Sequence, residues 1–346
     1  MNRRIAYRAW RCVASLSAGL ILGCGRPADA QAPFVLSEGY IGEEVPPEIE
    51  RSYERGLRFL VSRQSPEGGW KDSGGQSGPG IDGLCLLAFA ASGTDLRYGP
   101  YAATVQRGLI AVLAQQNADG YFGPSMYHHG FATLALAELY GMLDEPRLGP
   151  ALARAVNVIL DAQKKSQQKA WRYSPQSTDA DATVTGAQMV ALFAARNAGL
   201  QVPDEAIRHG VEFYRRVQGP DGSIGYTSPD SGSPPRNAIA VVVASLAQQK
   251  HTHLFQGAWT WLTSRSAQSA TIIEQYFFYY LYYAAQAYFR ADMDAWRSWN
   301  RTTSAALIAA QNAQGGWDGQ FGPSFCTATA LLSMALNYRY LPIYER

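Results

Sequence analysis

The chain has 346 residues, 47% hydrophobic and 17% charged, and its 20 Tyr and 8 Trp mark it as globular and aromatic-rich, which excludes a disordered polypeptide. Its 30 basic and 28 acidic residues are well mixed and leave a formal charge of +2. That balance offers no footprint for a polyanion, so nucleic acid is excluded as a partner.

The chain opens with the anatomy of an export signal, read here over residues 1–30. Arg3, Arg4, Arg8 and Arg11 precede an apolar run, 12–22, that is too short to span a hydrocarbon core of about 30 Å as a helix. Two processing sites follow. Ile21-Leu22-Gly23-Cys24 resembles a bacterial lipobox with Cys24 as the lipidated residue, and Ala28-Asp29-Ala30 is an Ala-x-Ala cleavage site. The expected location is therefore the bacterial periplasm or outer cell surface, with the protein held at a membrane surface by a lipid on Cys24. Residues 31–48, which include Pro33, Pro46 and Pro47, read as a linker, and 49–346 as one domain.

That domain is organised by a repeat. The pattern Gln-x-x-x-Gly-x-aromatic occurs from Gln64 to Trp70, Gln116 to Phe122 and Gln311 to Trp317. A weaker copy runs from Gln218 to Ile224, a degenerate one ends in Trp171-Arg172-Tyr173, and the interval before Gln311 leaves room for one unit without the signature. In each unit a helical stretch with Arg, Glu and Gln (52–63, 102–115, 154–163, 205–217, 302–310) leads into the turn. A second, almost wholly apolar stretch follows (84–91, 131–140, 184–197, 238–247, 276–289, 327–338). Helices apolar on all sides are buried on all sides. The second stretches therefore form an inner ring, and the first stretches an outer layer. Gly68-Gly69 and Gly315-Gly316 are expected to stop the outer helices. Such hairpins cannot bury their apolar faces alone, and about six of them close on themselves as an all-α, α/α toroid.

At these residues the chain resembles the prenyltransferase and squalene-cyclase repeat superfamily, whose Gln/Trp motifs make the same turn between barrel helices. The resemblance covers roughly 50–346. More narrowly, the stretches 127–137, 179–186, 276–286 and 338–344 look like exported bacterial proteins of that superfamily, a subgroup that carries no reaction over to this chain.

Aligning the six apolar stretches places a polar residue near the start of each: Asp82, His128 or His129, Asp179 and Asp181, Arg236 and Asn237, Glu274 and Gln275, Cys326 and Thr327. Polar groups are then expected around the mouth of a central cavity whose depth is apolar and aromatic, a design for a hydrophobic, isoprenoid-like small molecule. Asp179-Ala180-Asp181-Ala182 is similar to the Asp-x-Asp-Asp of class II terpene cyclases. The resemblance implies an isomerase in which Asp181 protonates an alkene and Asp179 helps to keep that carboxyl neutral. Ala182 stands where the family has its last Asp, and the plain alternative is an N-cap or first-turn acid. Tyr276, Tyr280 and Tyr283, with Phe277 beside them, share a helix face and offer cation-stabilising rings, or else core packing. Trp171 is a further aromatic candidate for the cavity wall.

Protein prenyltransferase subunits of the superfamily bind zinc, and Asp82, Cys85, His129 and Cys326 have suitable donor atoms. Their spacing departs from the family pattern, so no metal or other cofactor is assigned. Cys85 and Cys326 lie in the first and sixth units, where a disulfide sealing the ring competes with two inert thiols. The alternatives to a cyclase-like toroid are a non-catalytic envelope binding or scaffold protein, a zinc-dependent prenyltransferase-like enzyme and, by fold analogy, a polysaccharide lyase or hydrolase, which would require paired acids and sugar platforms along an open groove.

Overall fold

The computed structural model describes residues 45–72, 77–265 and 276–344. Within them twelve α-helices follow one another and no strand forms. Six are inner: α2 (Pro79–Ala90), α4 (Met126–Tyr140), α6 (Ala182–Asn197), α8 (Pro234–Leu246), α10 (Phe277–Ala291) and α12 (Pro323–Met334). They pack in sequence, and α12 returns to α2, so the ring closes. The outer helices are α1 (Pro47–Arg63), α3 (Ala102–Ala114), α5 (Leu148–Lys165), α7 (Asp204–Arg216), α9 (His253–Ser264) and α11 (Met293–Ala310). The chain is thus an α/α toroid of six helical hairpins.

Side-chain pattern sorts the layers. Every residue of α2 is buried, whereas α7 buries Ile207, Gly210, Val211 and Tyr214, the i, i+3, i+4, i+7 face of an amphipathic helix. No described helix is long and apolar enough to cross a membrane.

The repeated turn is a three-way clamp. Helices α1, α3, α7 and α11 end before the motif Gln, with Gln64 and Gln311 already extended, whereas Gln163 lies in the last turn of α5. Gln64 Nε2 donates to Gly68 O within its own turn and to Thr104 O on the next outer helix, at 2.8 and 2.9 Å. Gln116 repeats this on Gly120 O and Ala151 O. Gln163 reaches Ala206 O, and Gln218 reaches Leu254 O. Gln311 donates to Gly315 O and to Ser52 O of α1, which joins the last unit to the first. The glycine at the turn is required on two counts. Gly68 has φ +95°, and a Cβ there would press into Arg107 O of the neighbouring helix. Glycine therefore shapes the turn rather than stopping the outer helix as expected. The Trp indoles of the motif then point back under it: Trp70, Trp171 and Trp317 donate Nε1–H to Leu60, Ile159 and Leu307 O.

Ring closure is non-covalent. Cys85 and Cys326 are free, buried thiols, and Cys85 Sγ donates to Ser324 O instead of pairing. Asp72 caps α12 from the first unit, accepting Ser324 N–H at 2.7 Å and Ser324 Oγ–H at 2.8 Å.

The boundaries differ from expectation in one systematic way. Inner helices α2, α4, α8 and α12 begin four or five residues before their apolar runs, and α1 begins at Pro47 inside the expected linker. Pro47, Pro79, Pro234 and Pro323 occupy the first turn, where a missing N–H costs nothing.

Gln311→Ala removes two donors at the ring-closing seam and is expected to destabilise the protein by about 2 kcal/mol, read as a lower midpoint in urea unfolding. A midpoint identical to wild type contradicts the clamp.

Candidate functional site

The polar residues that begin the inner helices serve the turns. The fourth residue of α2, Asp82, accepts Trp70 N–H through Oδ1 at 2.7 Å and Gln115 Nε2 through Oδ2. At the same position in α4, His129 Nδ1 accepts Phe122 N–H while Nε2 meets Ala155 O at 3.0 Å. In α6 it is Thr185 that accepts Trp171 N–H, in α8 Asn237 takes Ile224 N–H, and in α12, one residue later, Thr327 takes Trp317 N–H. Each is buried. The expected polar collar of a cavity mouth is therefore corrected: these groups face outward and satisfy turn amides that water cannot reach. Burial pushes the His129 pKa down to about 4 and raises that of Asp82 against two opposing hydrogen bonds.

A cup of about 660 Å3 opens among the starts of all six inner helices. Ile81, Leu84, Phe131, Tyr279, Phe321 and Phe325 supply most of its apolar wall, and Tyr127, Tyr173 and Tyr226 form one side. Tyr127 sets its ring edge-on to Tyr173 and to Tyr279, with centroids 5.7 and 6.2 Å apart. The phenol oxygens of Tyr173 and Tyr226 are 2.8 Å apart. His128 and Arg236 bring the only titratable nitrogens to the described wall, and no carboxylate reaches it. One turn further along α10 than Tyr279, Tyr282 and Tyr283 are buried and pack edge to face at 4.8 Å. At the far ends of the inner helices the tail seals the ring, with Ile343 N–H on Glu138 Oε2 and Tyr344 Oη–H on Leu332 O.

Asp181 sits one layer behind this wall. It is the N-cap of α6, its Oδ1 accepting the N–H of Thr183 and Val184 and the hydroxyl of Thr183. Tyr127 donates in turn to Thr183 Oγ1. Asp181 Oδ2 is buried without a hydrogen-bond partner. Burial raises the Asp181 pKa, while the hydrogen bonds and Arg172 pull it down. Asp179 does not join it: its carboxylate is exposed and pairs with Arg172 at 3.4 Å, so it cannot act as a buried neighbour.

The other expected wall residues divide. His128, Arg236 and Tyr276 line the cup. Tyr280, Tyr283 and Phe277 do not; they are buried in the core, Phe277 against Phe278 at 5.2 Å. Trp171 is held inside its turn by its indole hydrogen bond. Cys24 and Glu274 lie outside the described residues. Tyr127, Tyr173, Tyr226 and Thr183 join the wall without a signal in the sequence, because the three tyrosines come from separate units and share no periodicity. As for metal, Asp82 and His129 spend both their donor atoms on the fold, Cys85 and Cys326 are buried thiols, and no three His, Cys, Asp or Glu side chains converge among the described residues.

The fold is shared with solved toroids of two chemistries. The α-1,6-mannanase GH76A of Salegentibacter sp. HEL1_6 aligns with a TM-score of 0.66 at 8% identity, covering 84% of this chain and 99% of that one. The type II terpene cyclase MstE from Scytonema aligns with a TM-score of 0.58 at 15% identity, covering 85% and 99%. A protein from Actinoplanes aligns with a TM-score of 0.56 at 16% identity, covering 83% and 98%. No protein-family profile and no curated protein sequence matches the chain. At these identities the likeness shows the fold alone.

His129→Asn keeps an acceptor for the turn amide, as Asn237 does in the fourth unit, and removes a titrating group. Because the folded pKa of His129 lies below the unfolded value, wild type loses about 3 kcal/mol as pH falls from about 6.5 to 4. Unfolding free energies measured across that window should fall less steeply for the variant; equal slopes contradict the assignment.

Proposed function

We propose that the protein binds a hydrophobic, polyprenyl-type small molecule in the cup. What supports this is the wall itself, aromatic and aliphatic on most sides and free of carboxylate among its described residues. A cup of about 660 Å3 is within the usual range for small-molecule sites, roughly 300 to 1,000 Å3. The two neighbouring chemistries make different demands on such a wall. Glycoside hydrolysis uses a pair of carboxyl groups flanking the scissile bond, and the described residues of the wall bring none to the cup. An apolar chain needs only close-packed apolar surface. The cyclase MstE has been solved with geranylgeranyl dihydroxybenzoate as substrate and merosterolic acid A as product, which is in keeping with an isoprenoid in this toroid. In this reading the protein is exported and tethered through Cys24, so that a membrane-derived ligand lies close at hand.

A second reading, proton-initiated isomerisation or cyclisation of the class II kind, is favoured by one observation: Asp181 is a buried carboxyl of raised pKa with a free Oδ2. Such chemistry needs a neutral acid in a dry site. Asp181 would give its Oδ2 proton to a double bond of the bound chain, with Tyr127 and Tyr279 facing the resulting carbocation. For that contact the hydroxyl pair of Thr183 and Tyr127, which screens Asp181 from the cup, has to part. Without that movement the toroid binds and does not convert.

Mass spectrometry of lipids extracted from the purified protein tests both readings. Wild type should carry a hydrophobic species that is lost from Ile81→Trp, which projects a larger ring from α2 into the cup and obstructs it, with the helical circular dichroism unchanged. Retention of the same species by Ile81→Trp would sink the binding reading. Asp181→Asn should then carry the unconverted precursor if the acid acts, and the same species as wild type if the protein only binds.

A further inference from the structure

Accepting that the cup holds an apolar chain, the two basic residues of its described wall, Arg236 and His128, bear on the chemistry at the end of that chain. Arg236 is half-buried at the start of α8, with Nε donating to Ile224 O at 3.0 Å and Nη2 to Ser231 O. These two backbone anchors hold the guanidinium plane in place and leave Nη1 without a hydrogen bond among the described residues. No described carboxylate forms an ion pair with it. The acid that influences it most, Asp230, is turned into its own loop, accepting Tyr226 N–H and the Ser228 hydroxyl. Burial lowers the Arg236 pKa, against Asp230 and Asp181 nearby, and the guanidinium lies over the Tyr226 ring at 6.0 Å, so it is partly desolvated without a carboxylate in direct contact.

The surroundings add to that deficit. His128 Nδ1 accepts Gly80 N–H at 3.3 Å, so the neutral ring carries its proton on Nε2 and presents a further donor. The wall has no carboxylate among its described residues. The starts of the six inner helices surround the cup and bring the positive ends of their dipoles toward it. Of the inner helices only α6 is capped by the side chain of its own N-cap residue, Asp181, and α12 takes its cap from Asp72 of the first unit.

We propose that the ligand of the cup is an amphiphile with one anionic oxyacid head, and that Arg236 receives this head while the tail lies along Phe131, Tyr279 and Phe325. A guanidinium fixed by two backbone carbonyls is pre-organised for an oxyanion, and little side-chain freedom is lost on binding. An uncharged alcohol or hydrocarbon leaves the same guanidinium desolvated and unpaired.

Farnesoic acid, farnesyl monophosphate and farnesol share one tail and differ only in the head, so their affinities for the full chain by isothermal titration calorimetry decide the matter. At least one of the two acids should bind wild type about ten-fold or more tighter than farnesol, and the better acid identifies a carboxylate or a phosphate as the head. Arg236→Gln should bring that acid to the level of farnesol and leave farnesol unchanged. Farnesol binding as tightly as both acids overturns the anionic head but leaves the apolar cup standing. Failure of all three to bind overturns the cup reading as well. If Arg236→Gln does not fold, the comparison of heads on wild type decides alone.

Discussion

A backbone turn buried between two layers of helices has amide and carbonyl groups that must find partners, and this constraint shapes the whole toroid. An unmet buried polar group costs about 1–3 kcal/mol, and the motif recurs five times in the described chain. Each time two side chains meet the demand. A Gln at the end of the outer helix takes the turn carbonyl or a carbonyl of the next outer helix, and in three of the turns both. A polar residue in the first turn of the inner helix takes the amide of the motif aromatic. Because the Gln reaches into the following unit, satisfying one turn also fixes the angle to its neighbour. Repeated around the chain, that angle closes the ring, and Gln311 on Ser52 completes it.

The cup follows from the same arrangement. Polar side chains at the starts of the inner helices are spent on the turns, so the space between those starts is left to apolar and aromatic residues. Polarity returns where a unit departs from the rule. In the third unit Thr185 takes the turn amide, which frees Asp181 to become the N-cap of α6 with one unpartnered oxygen. In the fourth unit Asn237 takes the amide and leaves its neighbour Arg236 to the cup. The chemical identity of the site comes from these two departures in a repeated frame. Below the cup Tyr282 and Tyr283 pack edge to face, and at the far ends of the inner helices the C-terminal tail bonds to Glu138.

The fold was legible in the sequence because repetition and all-round apolarity are both written in the residue order. Gln, Gly and aromatic at fixed offsets marked the turns, and the apolar runs marked the inner layer. What the runs could not mark was the first turn of each inner helix, where Pro79, Pro234 and Pro323 read as loop residues but start helices. That shift of four or five residues moved Asp82, His129, Asn237 and Thr327 from an imagined mouth to the inside of the first turn. It is why the polar collar was misread while Arg236 and His128 were placed on the wall. The tyrosine side of the cup was hidden for a different reason. Tyr127, Tyr173 and Tyr226 meet only when three consecutive units pack side by side, and that packing is a tertiary property that no local pattern encodes. The pairing of Asp179 with Asp181 failed on conformation: one precedes the cap and turns to solvent and Arg172, the other folds back over the helix start.

An open, dry cup between the starts of six inner helices is the claim on which the functional reading rests. Xenon enters apolar cavities and avoids hydrated ones, so diffraction from crystals pressurised with xenon tests it directly. The structure calls for xenon peaks beside Phe131, Tyr279 and Phe325. Ordered waters in that volume, with xenon absent from it, would contradict the account.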